Sequence, residues 1–113
     1  YVFDYSDDGS WPQTAKLIAS DGAEDDRFGY SVAIYETRIV VGDFGDDDLG
    51  DSSGSAYVFD YNDGSWSQTA KLVASDGAEG DRFGRAVGIY ETRIVVSAYR
   101  DDDLGEWSGS AYV

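Results

Sequence analysis

The side chains best equipped for chemistry in this sequence are carboxylates. The stretch Gly42–Gly54, GDFGDDDLGDSSG, holds five aspartates and no base, and it returns as SAYRDDDLGEWSG at Ser97–Gly109. Asp43, Asp46, Asp48 and Asp51 fall at partly alternating positions, and Asp101 and Asp103 repeat part of that set. Oxygen ligands so spaced suit a hard cation such as Ca2+, which takes about six to eight of them. The glutamate that ends an EF-hand loop is absent. In the second copy Ala98 replaces Asp43, and Arg100 stands where it could neutralise the acids without metal. The competing reading is a solvated turn whose aspartates cap loop amides.

Other chemistries have little to work with. The chain has 113 residues, no histidine and no cysteine. That removes thiol nucleophiles, imidazole acid–base work, disulfides and the usual zinc ligands. Paired carboxylates alone can run glycoside hydrolysis, but one of them must be buried enough to stay protonated. These acids fall in Gly- and Asp-rich turns, so no catalytic residue is assigned and the chain is read as a non-enzyme. With 23 acids against 8 bases the net charge is −15, which repels nucleic acid and anionic lipid and attracts cations and basic partners. No apolar run approaches a membrane span, so membrane insertion is not expected.

The elements that must position the acids come from a repeat. YVFDYSDDGSWPQTAKLIASDGAEDDRFG at Tyr1 returns as YVFDYNDGSWSQTAKLVASDGAEGDRFG at Tyr57, and IYETRIVV at Ile34 returns at Ile89. Spans with period-two patterning and turn residues between them predict four strands per repeat. They are Tyr30–Tyr35, Thr37–Val41, Ser55–Tyr61 and Trp66–Ala74. No segment has the apolar period of a helix. The expected fold is all-β, a β-propeller of four-stranded antiparallel blades.

The repeat is out of phase with the ends. Residues 1–20 carry strands 3 and 4 of a split blade (Tyr1–Tyr5, Trp11–Ala19). Residues 21–75 carry a connecting loop and a complete blade. Residues 76–113 carry a loop and strands 1 to 3 of the split blade (Arg85–Tyr90, Thr92–Val96, Ser110–Val113). Propellers need about four to eight blades. The chain is therefore expected to be part of a longer propeller or a homo-oligomer, three or four copies closing a ring or many forming a filament by strand completion.

The segment DRFGYSVAIYETRIVVGDFGDDDLGDSSGSAYVF resembles the bacterial FG-GAP repeat family, whose repeats are similar to those of the integrin α-subunit propeller. Phe28-Gly29, Phe83-Gly84, the IVVG and IVVS strands and GSAYVF carry the resemblance. It implies a secreted or cell-surface protein, bacterial, serving adhesion or ligand binding. The position of the family's GAP reads Gly42-Asp43-Phe44 and Ser97-Ala98-Tyr99. Calcium-binding integrin-like blades carry an Asp-rich loop between strands 1 and 2. Here that link is only Tyr35–Thr37 and Tyr90–Thr92, each with one glutamate, too few oxygens for calcium.

Antiparallel pairing places the 2–3 and 4–1 loops on one propeller face, away from the short 1–2 turn. Most of the acid therefore shares a face. The two copies differ mainly there or beside it, at Asp25/Gly80, Tyr30/Arg85, Gly42–Gly45 against Ser97–Arg100, and Ser52/Trp107. A constant body with a changing loop face suits recognition. The predicted surface is Asp25, Tyr30, Asp43, Phe44, Arg85, Tyr99, Arg100 and Trp107, with a protein or carbohydrate ligand. Arg27 and Arg82 are expected to pair with loop acids, and Arg38 and Arg93 to bridge blades. Trp11 and Trp66 are expected to cover the outer edge.

Overall fold

The computed structural model describes all residues 1–113. It is all-β and antiparallel. A two-stranded hairpin comes first: β1 (Val2–Phe3) and β2 (Gln13–Ala15). A four-stranded sheet follows in simple order, β3 (Ser31–Tyr35), β4 (Arg38–Asp43), β5 (Ser55–Asn62) and β6 (Ser65–Leu72). A three-stranded sheet ends the chain, β7 (Phe83–Tyr90), β8 (Arg93–Ala98) and β9 (Ser110–Tyr112). The central sheet is thus a four-stranded blade, flanked by a two-stranded and a three-stranded partial blade.

Local chemistry explains the turns. Asp63 and Gly64 both have positive φ, 48° and 84°, the geometry of a type I′ hairpin that joins β5 to β6 without splaying them. The β3–β4 and β7–β8 links turn on Glu36 and Glu91, each at φ 50°. The expected strand Trp11–Ala19 is shorter than read, forming only Gln13–Ala15. Pro12 stands where the second repeat has Ser67, so this strand lacks an amide its partner could use.

The central sheet is packed on both faces, which is why β4 reads as an unbroken apolar run. Ile39 and Val41 point one way and join Val2, Tyr57 and Phe59 under the N-terminal hairpin. Val40 points the other way and joins Ala56, Ala74, Phe83, Val96 and Ala98 under the C-terminal sheet. The two partial blades therefore lie on opposite faces of the complete one and do not meet within the chain. The molecule is accordingly elongated, 54 × 30 × 22 Å.

The spacing between complete and following blade is set by backbone contact. A Cβ on Gly42 would lie 2.0 Å from the Gly84 carbonyl oxygen, one on Gly84 2.1 Å from that of Ser55, and one on Gly54 2.0 Å from that of Phe83. Gly84 also sits at φ +88°. Phe83 N–H donates to the Ser53 carbonyl at 2.9 Å and Ser31 Oγ to the Gly84 carbonyl at 2.9 Å. Gly84→Ala should cost about 3 kcal/mol in urea unfolding, through both clash and positive φ. Gly88→Ala, with open space at that position, is the matched control and should be near neutral.

Candidate functional site

The acidic loops fold onto one another as strand polarity requires. The loop after β4 runs beside the loop after β6: Gly80 N–H donates to the Asp51 carbonyl and Arg82 N–H to that of Ser52. Within the first loop the Asp46 carboxylate accepts from Asp48 N–H, the Asp47 carboxylate from Ser52 N–H, and Ser53 Oγ from Leu49 N–H. The second copy repeats each bond, Asp101 with Asp103, Asp102 with Trp107, Ser108 with Leu104. The shared DDDLG is thus a self-capped turn.

The aspartates read as metal ligands separate into groups. Asp46 and Asp48 meet Asp21, and Lys71 stands among the three: its Nζ is 2.7 Å from Asp21 Oδ2, 2.8 Å from Asp46 Oδ2 and 2.7 Å from Asp48 Oδ2. The Tyr57 hydroxyl lies 2.9 Å from both Asp21 Oδ1 and Asp46 Oδ2, and the ammonium stands over its ring. Burial works against the Lys71 charge, but the hydrogen bonds of Asp21, Asp46 and Asp48 outweigh it and hold the ammonium above its ordinary value. Burial likewise raises Tyr57. Lys71 is the one cation this group has from within the chain, and it offsets only part of the three carboxylates' charge.

Asp46 also belongs to a second group with Asp26 and Asp43, one carboxylate oxygen of each within 4.8 Å of the others. Asp43 is fully buried; its Oδ1 accepts from Arg27 N–H at 2.8 Å, and its Oδ2 has no partner. Burial pushes the Asp43 carboxyl up, with the charges of Asp26 and Asp46 adding to it. Asp51 joins neither group; it holds only Ser52 Oγ. Asp101 accepts from the Tyr112 hydroxyl, and Asp103 is raised mainly by the charge of Asp101.

Most residues of the predicted recognition surface come together. The Tyr30 and Phe44 rings meet edge to face at 4.7 Å. The Arg85 guanidinium lies 4.1 Å above Tyr30 and within 5.9 Å of Tyr99. Arg100 lies over both Tyr99 and Trp107, at 5.5 and 5.0 Å. The result is a stripe from Tyr30 to Trp107 that crosses from the complete blade to the following one. Trp107 is 61% exposed. Asp43 is buried beneath the surface, and Asp25 lies beside the stripe, its carbonyl against Gly45.

Several arginines act otherwise than expected. Arg38 does not bridge blades; its direct cross-strand partner is Asp60, which it grips with two hydrogen bonds of 2.7 and 3.2 Å. Arg82 pairs with no acid but donates to the Tyr99 hydroxyl. Arg100 stacks on aromatic rings and leaves the acids unneutralised. Arg27 reaches Asp25 only at 4.0 Å. Trp66 packs beneath the sheet edge, whereas Trp11 is 63% exposed.

The FG-GAP repeat profile matches residues 11–59 and again residues 66–113. The chain belongs to the FG-GAP repeat family. The first match begins at Trp11, ahead of β2, and ends at Phe59 inside β5, so it straddles two blades. In the second match the Phe-Gly pair of the FG-GAP unit lies at the joint between blades: Phe83 fills the core between them while Gly84 admits the neighbouring carbonyl. No curated protein sequence matches the chain. No helix is long and apolar enough to cross a membrane.

Lys71→Met should destabilise the fold by about 2 kcal/mol at pH 7, by leaving three carboxylates without their cation. Asp21 is held below its ordinary 3.8, first by the Lys71 hydrogen bond, so its contribution is complete above that value and fades as pH falls through the lowered one. The difference between wild type and variant in urea unfolding should therefore shrink below about pH 4.

Proposed function

We propose that this chain is a non-catalytic β-propeller module, working outside the cell in adhesion or ligand capture. The observation that carries this reading is the arginine–aromatic stripe of Tyr30, Phe44, Arg85, Tyr99, Arg100 and Trp107. Arginine and large aromatics dominate binding hot spots, the aromatics through wide, rigid contact area and arginine through a planar guanidinium that stacks and donates. The surrounding acid adds long-range attraction for a basic surface. The partner is a protein or carbohydrate presenting a face that stacks on the rings. A panel of glycans and basic proteins tested against the immobilised chain, with Tyr99→Ala/Trp107→Ala in parallel, checks it. Partners of the wild type should lose at least about tenfold in affinity for the variant. Equal binding to both chains counts against the stripe.

The same face offers a divalent-cation site at Asp26, Asp43 and Asp46. The buried, unpartnered Asp43 Oδ2 supports it, since a carboxylate left so is costly unless a cation is supplied. Without cation the raised Asp43 carboxyl is a penalty above its shifted value, relieved as pH falls through it. Asp43→Asn should therefore raise the melting temperature in chelator by about 3 °C. Millimolar calcium should raise that of the wild type and leave Asp43→Asn unchanged; an equal calcium response in both chains sinks the site.

A second reading, self-assembly into a ring or filament, is favoured by the two partial blades lying on opposite faces of the complete blade.

A further inference from the structure

Both partial blades leave unfilled what the complete blade fills. On one side an apolar groove of about 620 Å³ opens beside the N-terminal hairpin, lined by Phe3, Leu17, Phe28, Val32, Ile34 and Val41. Val32 and Ile34 are 66% and 60% exposed. Their repeat counterparts, Val87 and Ile89, pack against the core made with Val40 and Ala56. The counterparts of Val40 and Ala56 are Val95 and Ala111, on the outer face of the C-terminal sheet, and both are exposed. One end of the molecule thus has the apolar surface that the groove at the other end lacks.

The charges divide the same way. In the complete blade Arg38 pairs with Asp60, which also accepts from Thr69 Oγ1. In the partial blades the pair is separated. Asp4, held by Thr14 Oγ1, has no arginine, and Arg93 has no carboxylate within ion-pair distance. The lysine site is divided too. Asp76, Asp101, Asp103 and Tyr112 reproduce Asp21, Asp46, Asp48 and Tyr57, down to the Tyr112 hydroxyl bonded to Asp76 and Asp101 at 2.9 and 2.7 Å. The lysine is missing from that end. Its counterpart, Lys16, lies at the other, exposed and over the Tyr1 ring.

Resting on the self-assembly reading, we propose that the occupant of the groove is the C-terminal sheet of a second copy. That sheet and the hairpin β1–β2 form one four-stranded blade held by two cross-chain ion sites. Arg93 of one copy grips Asp4 of the next, and Lys16 of the next enters the Asp76/Asp101/Asp103 group. Val95 and Ala111 fill the groove over Val32 and Ile34. Tyr1-Val2 and Tyr112-Val113 are equivalent positions of strand 3, so one dipeptide yields to the other. The joint differs from the internal one at a single tight point: Ser97 stands where Gly42 meets a carbonyl, so the chains stand off there by about 1 Å.

The contact is head-to-tail and can close. Sedimentation of the whole chain at low salt should give a discrete species of three or four copies, six or eight blades. Asp4→Arg and Arg93→Asp should each lower the association constant by at least about tenfold, and the double variant Asp4→Arg/Arg93→Asp should restore it. Asp4 and Arg93 lie on opposite faces of the central sheet, so only contact between chains can give that rescue. Circular dichroism identical to wild type confirms that the variants fold. Ser97→Gly should tighten association. A monomeric wild type overturns both this joint and the self-assembly reading. An oligomer indifferent to the two single variants overturns the joint alone and leaves assembly standing.

Discussion

Three glycines hold the two sheets closer than side chains would permit. Where Gly42, Gly54 and Gly84 meet the neighbouring carbonyls, the blades touch backbone to backbone. That approach lets Phe83 N–H reach the Ser53 carbonyl and aligns the loop after β4 with the loop after β6. The alignment in turn carries the stripe from one blade to the next, because Phe44 lies within reach of Arg82 and Arg85 only at this spacing. Core packing is a consequence as much as a cause: small residues such as Ala56, Ala74 and Ala98 fill a gap already narrowed by the glycines.

The second constraint is charge. A chain of net charge −15 that crowds acids onto one face must separate or neutralise them. It does so locally. Main-chain amides take up part of the negative charge of Asp43, Asp46, Asp47, Asp101 and Asp102. One ammonium, Lys71, serves three carboxylates at once. Lysine suits this role because its three donors diverge from a single point, whereas a planar guanidinium serves one carboxylate best, as Arg38 does with Asp60.

The strands and turns were legible because their signals are local. Period-two patterning marks β3, β5 and β6, short apolar runs mark β4 and β8, and Asp63-Gly64 declares its turn by dipeptide type. The shared face of the 2–3 and 4–1 loops followed from strand polarity alone; the contact of Tyr30 and Phe44 with Arg85 of the following sheet did not. The grouping of acids was not legible. Asp21 and Asp26 lie some twenty residues from Asp46 and come to it only through loop packing. Lys71 read as one polar residue on a strand, and nothing in its neighbours says that it faces a loop. The Arg38–Asp60 pair was hidden for a related reason: the register of β4 against β5, which no tight turn joins, decides which residues oppose each other.

The sandwiching of the central sheet has a consequence for the order in which the chain opens. The β4 and β5 ladders are covered on both sides, by the hairpin and by the C-terminal sheet, while β1 and β9 are short and lie at the rim. Local opening needs only the contacts of the segment that opens, so amide exchange should be graded along the chain: fast near both ends, slowest around Val40 and Val58. Such a molecule frays from outside inward. Its most persistent hydrogen bonds surround the one blade that the chain completes by itself.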